Sequence, residues 1–125
     1  MRKALVLLMI MLLAACQGEQ DTTYKQISQE EAMRIMEEEE GYLIVDVRTE
    51  EEFQEGHIPD AINIPVESIT DERPSQLNDL KQVLLIYCRS GNRSKQAAEK
   101  LAAMGYVNIL EFGGINTWKG EIVKE

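Results

Sequence analysis

Two rhythms of apolar residues run along the chain. Tyr42-Leu43-Ile44-Val45 and Val83-Leu84-Leu85-Ile86-Tyr87 are unbroken apolar runs rich in β-branched and aromatic side chains, the pattern of strands buried on both faces. With two weaker runs they predict strands near 43–47, 62–64, 83–87 and 107–110. Between the runs, apolar residues recur at helical spacing. Ser28-Gln29-Glu30-Glu31 matches a capping box opening a helix that turns Ala32, Met33, Ile35 and Met36 inward. Lys95 to Met104 reads as a second helix, with Ser94 as its N-cap. Strand and helix therefore alternate, which predicts an α/β domain with a mainly parallel sheet covered on both faces. Right-handed crossovers gather the carboxyl ends of the strands at one edge, bringing Cys88 and Asp46 toward one cleft. No repeat is present, and Thr70 to Ser75 is the one long loop expected.

The amino terminus follows a different pattern. Arg2-Lys3 precedes an apolar stretch from Ala4 to Leu13, and Leu13-Ala14-Ala15-Cys16 comes directly after. The stretch fits a secretory signal and falls short of the roughly 20 apolar residues that span a bilayer. Leu-Ala-Ala-Cys is similar to the lipobox of bacterial lipoproteins, which implies cleavage before Cys16 and lipidation of its thiol. Plain secretion with cleavage after Ala15 is the simpler alternative. The expected organisation is a signal peptide over 1–15, a lipidated tether over 16–26 and one folded domain over 27–125. Its location is extracytoplasmic, with the lipid holding the chain on the periplasmic side of a membrane or on the cell surface.

Charge narrows the partners. The 125-residue chain carries a formal charge of −9, and loss of Arg2 and Lys3 with the signal takes it to −11. So acidic a surface argues against nucleic acid or anionic lipid headgroups as ligands. Glu37 to Glu40 reads as the solvated end of the first helix and shows no metal-ligand spacing. No metal or other cofactor is expected.

The chemistry gathers where the strongest strand stops. Val83–Tyr87 ends at Cys88 and opens into Arg89-Ser90-Gly91-Asn92-Arg93-Ser94 before helical spacing resumes. A cysteine there faces a helix amino terminus, where free N–H groups and the dipole favour negative charge. With Arg89 and Arg93 alongside, such surroundings lower a thiol pKa from about 8.5 to between roughly 3.5 and 7.5. Gly91 and Asn92 tolerate positive φ, which lets the loop curl its N–H groups around the sulfur. Free cysteines are more often small core residues, and Arg89 taken alone reads equally well as a solvated charge, which leaves Arg93, at the loop's closing position, as the favoured anion contact. The two arginines and the glycine-bearing turn tip the balance toward a nucleophile.

Cys88 to Ser94 resembles the active-site loop of the rhodanese (thiosulfate sulfurtransferase) family. Asp46-Val47-Arg48-Thr49-Glu50-Glu51-Glu52-Phe53 and Gly56-His57-Ile58-Pro59-Asp60-Ala61-Ile62-Asn63-Ile64-Pro65 are similar to the family's upstream signature. Gly113-Gly114-Ile115-Asn116-Thr117-Trp118 resembles its closing element. The three stretches occur in the family's order from about Ile27 to Val123. Asp60 stands where the family more often has glycine, and aspartate is among the few residues that accept unusual backbone angles there.

The resemblance implies a single rhodanese-like α/β domain with a mainly parallel central sheet and helices on both faces. It also implies a persulfide on Cys88, with Arg89, Ser90, Gly91, Asn92, Arg93 and Ser94 as the substrate-binding loop. The sulfur comes from a small-molecule donor such as thiosulfate and passes to cyanide or a thiol, protein thiols included. Asp46 and Arg48 are expected behind the site as scaffold, His57 as a structural residue, and Gly113, Gly114 and Trp118 as packing elements.

Four residues separate Cys88 from Arg93, whereas cysteine phosphatases and related arsenate reductases have five. That count disfavours phosphate-type oxyanions. With Cys16 lipidated, Cys88 is the one remaining thiol, so no disulfide or resolving cysteine is available within the chain. A carrier, sensor or partner-binding module built on the same loop is the alternative from another class.

Overall fold

The computed structural model describes residues 23–125. The expected signal peptide and the expected lipidation site, Cys16, lie outside the described residues. Among the described residues no helix is long and apolar enough to cross a membrane.

Five strands form one sheet: β1 (Lys25–Gln26), β2 (Tyr42–Asp46), β3 (Ile62–Asn63), β4 (Val83–Cys88) and β5 (Ile109–Gly114). Their spatial order is β1-β5-β4-β2-β3, and every pair is parallel. One isolated antiparallel bridge, His57 with Val123, lies outside the sheet. Among the described residues three α-helices accompany the strands: α1 (Gln29–Glu38), α2 (Glu50–Glu55) and α3 (Asn92–Ala103). The α/β reading from the apolar rhythm holds, with the sheet wholly rather than mainly parallel.

Strand β4 is central, and its alternation of side chains divides the core. Leu84, Ile86 and Cys88 pack with Ala97, Ala98, Leu101 and Tyr106 on the α3 face. Leu85 and Tyr87 pack on the other face with Ala32, Ile35, Phe53 and Phe112. This parity puts the cysteine beneath α3. The register shifts between Ile86 and Cys88, a local irregularity of the kind that re-aims a side chain at a strand end.

Several elements depart from the sequence reading for physical reasons. Lys25 and Gln26, read as tether, pair with Leu110 and Glu111; two exposed polar residues carry no apolar signature of a strand. Strand β5 begins at Ile109 rather than 107, because Gly105 turns the chain at φ 105°. Helix α3 starts at Asn92 with Gly91 as its N-cap, so Ser94 lies in the first turn with its side chain free for other work. Ser28 caps α1 as expected, accepting from the Glu31 N–H at 3.0 Å, but Glu31 turns to Arg34 instead of closing the box. A complete capping box starts α2, where Thr49 and Glu52 satisfy each other's backbone N–H groups. Asp60 takes φ 70°, as its place in the turn demanded.

Asp46 and Arg48 pair with each other at the carboxyl end of β2, Nη2 to Oδ2 at 2.7 Å, both side chains buried. Arg48 also donates to the Gly56 carbonyl, and Asn63 donates to the Asp46 and Arg48 carbonyls. The pair ties β2, the end of α2 and β3 together. Removing one partner strands the other as a buried charge, which costs several kcal/mol, whereas replacing both with apolar groups costs less. Asp46→Ala is therefore expected to lower stability by about 3–5 kcal/mol in urea unfolding. Adding Arg48→Met to that variant is expected to recover much of the loss.

Candidate active site

Cys88 ends β4 at the edge where ligands meet an open parallel sheet. Its residue is 1% exposed. The chain then passes through Arg89 and Ser90 to Gly91, at φ 107° in the left-handed region, and enters α3. That conformation strongly favours glycine, and it turns the backbone N–H groups back onto the sulfur. The Gly91 N–H donates to Cys88 Sγ at 3.0 Å. Backbone N–H groups of Ser90 and Ser94 also serve the sulfur, and Ser94 Oγ lies 3.4 Å from it. Burial alone pushes the thiol up, but these hydrogen bonds outweigh it and bring its pKa below the ordinary cysteine value.

The turn is fixed from outside by β5. A Cβ on Gly114 would stand 2.1 Å from the Arg89 carbonyl oxygen, so no other residue fits there. Asn116 N–H donates to that same carbonyl at 3.1 Å. Gly113 and Gly114 therefore act as the wall on which the loop rests, and Trp118 packs tilted against Phe112 at 5.5 Å between centroids.

The two arginines are placed differently. Arg93 makes a two-pronged pair with Glu52, Nη1 to Oε1 at 2.7 Å and Nη2 to Oε2 at 3.0 Å. Its charge is thereby matched, and it ties the loop to the first turn of α2. The Arg93 guanidinium, together with the Thr49 N–H and hydroxyl, holds the Glu52 carboxyl down at about 2. Arg89 is exposed and makes no side-chain hydrogen bond or ion pair among the described residues. Ser90 and Asn92 are exposed at the loop surface.

Ser94 is fully buried, and its hydroxyl lies between Cys88 and a carboxylate, 2.5 Å from Glu111 Oε2. Glu111 also accepts from the Gly113 N–H at 3.0 Å. Sequence reasoning missed Glu52 and Glu111. The capping-box spacing Thr49-x-x-Glu52 was visible, but its link to an arginine 41 residues later was not. Glu111 lies one residue past the expected strand at 107–110, with nothing in the sequence to mark it as inward. His57 is buried at 4%, stacks on Phe53 at 3.8 Å and has Nδ1 2.8 Å from the Phe53 carbonyl, a packing position. Asp46 and Arg48 pair behind the sheet edge as scaffold. Among the described residues no group of three His, Cys, Asp or Glu side chains is placed to hold a metal.

Known proteins share this fold. The family model for the rhodanese-like domain matches residues 28–121. A protein named thiosulfate sulfurtransferase PspE, from Escherichia coli, is 35% identical over 71 residues, covering 57% of this chain and 68% of its own. One named thiosulfate sulfurtransferase GlpE, from Pseudomonas savastanoi, is 34% identical over 99 residues, covering 78% and 90%. Among solved structures, a rhodanese-like domain protein from Staphylococcus aureus superposes with a TM-score of 0.69 at 33% identity, covering 81% of this chain and 98% of that one.

The Glu52 carboxyl gives the fold a pH dependence with a definite sign. Its folded pKa lies below the unfolded value, so its contribution is present above about 4.5 and is lost as pH falls toward about 2. Glu52→Gln is expected to have a lower Tm at neutral pH and a shallower fall in Tm across that acid window. Scanning calorimetry at stepped pH reads both.

Proposed function

Because the chain belongs to the rhodanese-like domain family, we propose that it moves a sulfane sulfur from thiosulfate, or another sulfane donor, to cyanide or a thiol through a persulfide on Cys88. The observation that carries this reading is the sulfur itself, buried at a strand end with the N–H groups of Ser90, Gly91 and Ser94 turned onto it. Such a cradle favours an anionic sulfur and offers donors to the charge that moves during transfer. Names of the relatives from Escherichia coli and Pseudomonas savastanoi, thiosulfate sulfurtransferases both, supply the donor class.

Transfer takes two displacements. The Cys88 thiolate attacks the outer sulfur of thiosulfate, a sulfur–sulfur bond forms, and the electron pair of the breaking bond leaves with sulfite. The persulfide then carries its negative charge on the terminal sulfur. Cyanide or a thiolate attacks that sulfur, and the pair of the breaking bond returns to Cys88, restoring the thiolate. No step consumes a net proton. Arg89, exposed beside the loop and without a side-chain partner among the described residues, meets the sulfonate end of the donor; Arg93 holds the loop in shape through Glu52. An external acceptor discharges the persulfide, since Cys88 is the sole cysteine of the described domain. The lipobox-like Leu13-Ala14-Ala15-Cys16 supports a lipid anchor at Cys16 and an extracytoplasmic site of action.

Intact-mass spectrometry of the domain, before and after thiosulfate, tests the reading with Cys88→Ser as control. A gain of one sulfur on the wild type alone, discharged by cyanide with thiocyanate appearing, is the expected result. Absence of uptake from thiosulfate and from polysulfide alike would leave a carrier, sensing or partner-binding module. Arg89→Ala is expected to raise KM for thiosulfate about five- to tenfold with little change in kcat, the loss of one exposed charge-assisted contact.

A further inference from the structure

A cleft beside the active-site loop takes no part in the transfer described above. It holds about 450 Å³, is open to solvent, and lies between β1, α1, β5 and the start of α3, with Ser90 of the loop on its wall. That is the size of a small-molecule site. One side of it is fixed in place, because the Gln29 side-chain amide donates to the Phe112 and Gly114 carbonyls at 3.3 and 2.8 Å and so ties α1 to β5.

Two charged residues line the cleft, Glu111 and Lys95. Glu111 is 2% exposed and uses only one of its oxygens. Oε2 accepts from the Ser94 hydroxyl and from the Gly113 N–H, whereas Oε1 has no hydrogen-bond partner among the described residues. A buried carboxylate oxygen left without a donor costs free energy that a ligand's N–H can recover. Lys95 is exposed and joins no ion pair among the described residues, with Glu111 or with any other carboxylate. A purely anionic guest would be repelled by Glu111, and a purely cationic one by Lys95. A guest carrying both signs a few ångströms apart satisfies both, its ammonium on Glu111 Oε1 and its carboxylate on Lys95. That is the head group of an amino acid.

Ser90 connects this cleft to the chemistry. Its N–H serves the Cys88 sulfur, and the same residue borders the cleft. A molecule seated there must carry its reactive end across one residue of the loop, roughly 3.8 Å of backbone. A thiol on the carbon next to the head is too short to cross it; a thiol on a longer arm reaches the sulfur.

We propose that the cleft seats the amino-acid head of the sulfur acceptor, a small thiol whose sulfur is separated from that head by several bonds, with Glu111 taking the ammonium and Lys95 the carboxylate. The inference rests on the sulfur-transfer reading and deepens it by naming the acceptor class. From this seat the acceptor thiolate attacks the terminal sulfur of the Cys88 persulfide. The new sulfur–sulfur bond forms on the acceptor, and the electron pair of the breaking bond returns to Cys88. Cyanide has no head and gains nothing from the cleft.

S-methyl-γ-glutamylcysteine carries the head and the arm but cannot accept sulfur, so its binding reads the cleft apart from the transfer. Titrated into the whole chain and followed by proton–nitrogen NMR, it is expected to shift the amide signals of Lys95, Gly113 and Asn116 saturably. Acetylating the probe's amino group, which removes the ammonium, and Lys95→Met in the protein are each expected to weaken binding about tenfold, the loss of one charge-assisted contact. In steady-state assays Lys95→Met is expected to raise KM for γ-glutamylcysteine about tenfold relative to KM for cyanide. Absence of a saturable shift overturns the proposal, as does binding indifferent to both changes or an equal rise in KM for the two acceptors. Probe binding without transfer to any acceptor overturns the transfer reading and leaves the amino-acid site standing; transfer to cyanide without probe binding does the reverse.

Discussion

Everything at the site depends on one tight passage from strand to helix, the seven residues from Cys88 to Ser94. The passage works because Gly91 takes a left-handed conformation and because Gly114 lets the Arg89 carbonyl lie directly on β5. Given those two contacts, the N–H groups that a helix start leaves without partners converge on a single atom. The sulfur is buried deeply enough to lose water but is repaid in hydrogen bonds, so the anion is favoured in a place where burial alone would suppress it. The wholly parallel sheet contributes by placing β4 at its centre, with β2 paired along it as far as Tyr87 and β5 paired with Cys88 itself through Gly114.

How much of this was legible in the sequence follows the range of each interaction. The apolar runs of β2 and β4 and the abrupt stop at Cys88 are local signals, and they gave the fold class and the candidate nucleophile. Asp60 in its turn and Gly91 in its loop were legible for the same reason, since positive φ restricts the residue type at one position. Ser94 was placed correctly near the helix start but in the wrong role. Its spacing suits an N-cap, and only the left-handed turn at Gly91 moves the cap back and frees the hydroxyl for the sulfur.

The unread parts are long-range and polar. Glu52 and Arg93 meet across 41 residues, and Ser94 and Glu111 across 17; neither contact has a periodicity. Strand β1 has two residues and an exposed pattern, so its existence depends wholly on the edge of β5 offering partners. The sequence also favoured Arg93 over Arg89 as the anion contact, and the geometry reverses that order. Arg93 is matched by Glu52 and serves the shape of the loop, while Arg89 is left facing solvent.

The sheet's margins carry a further consequence. Both edge strands, β1 and β3, are two residues long, while the long apolar strands lie inside. A parallel sheet that tapers in this way offers a neighbouring chain almost no row of free N–H and C=O groups to extend. The fold thus protects itself against strand-by-strand association between copies, a safeguard that gains value wherever many copies are crowded side by side.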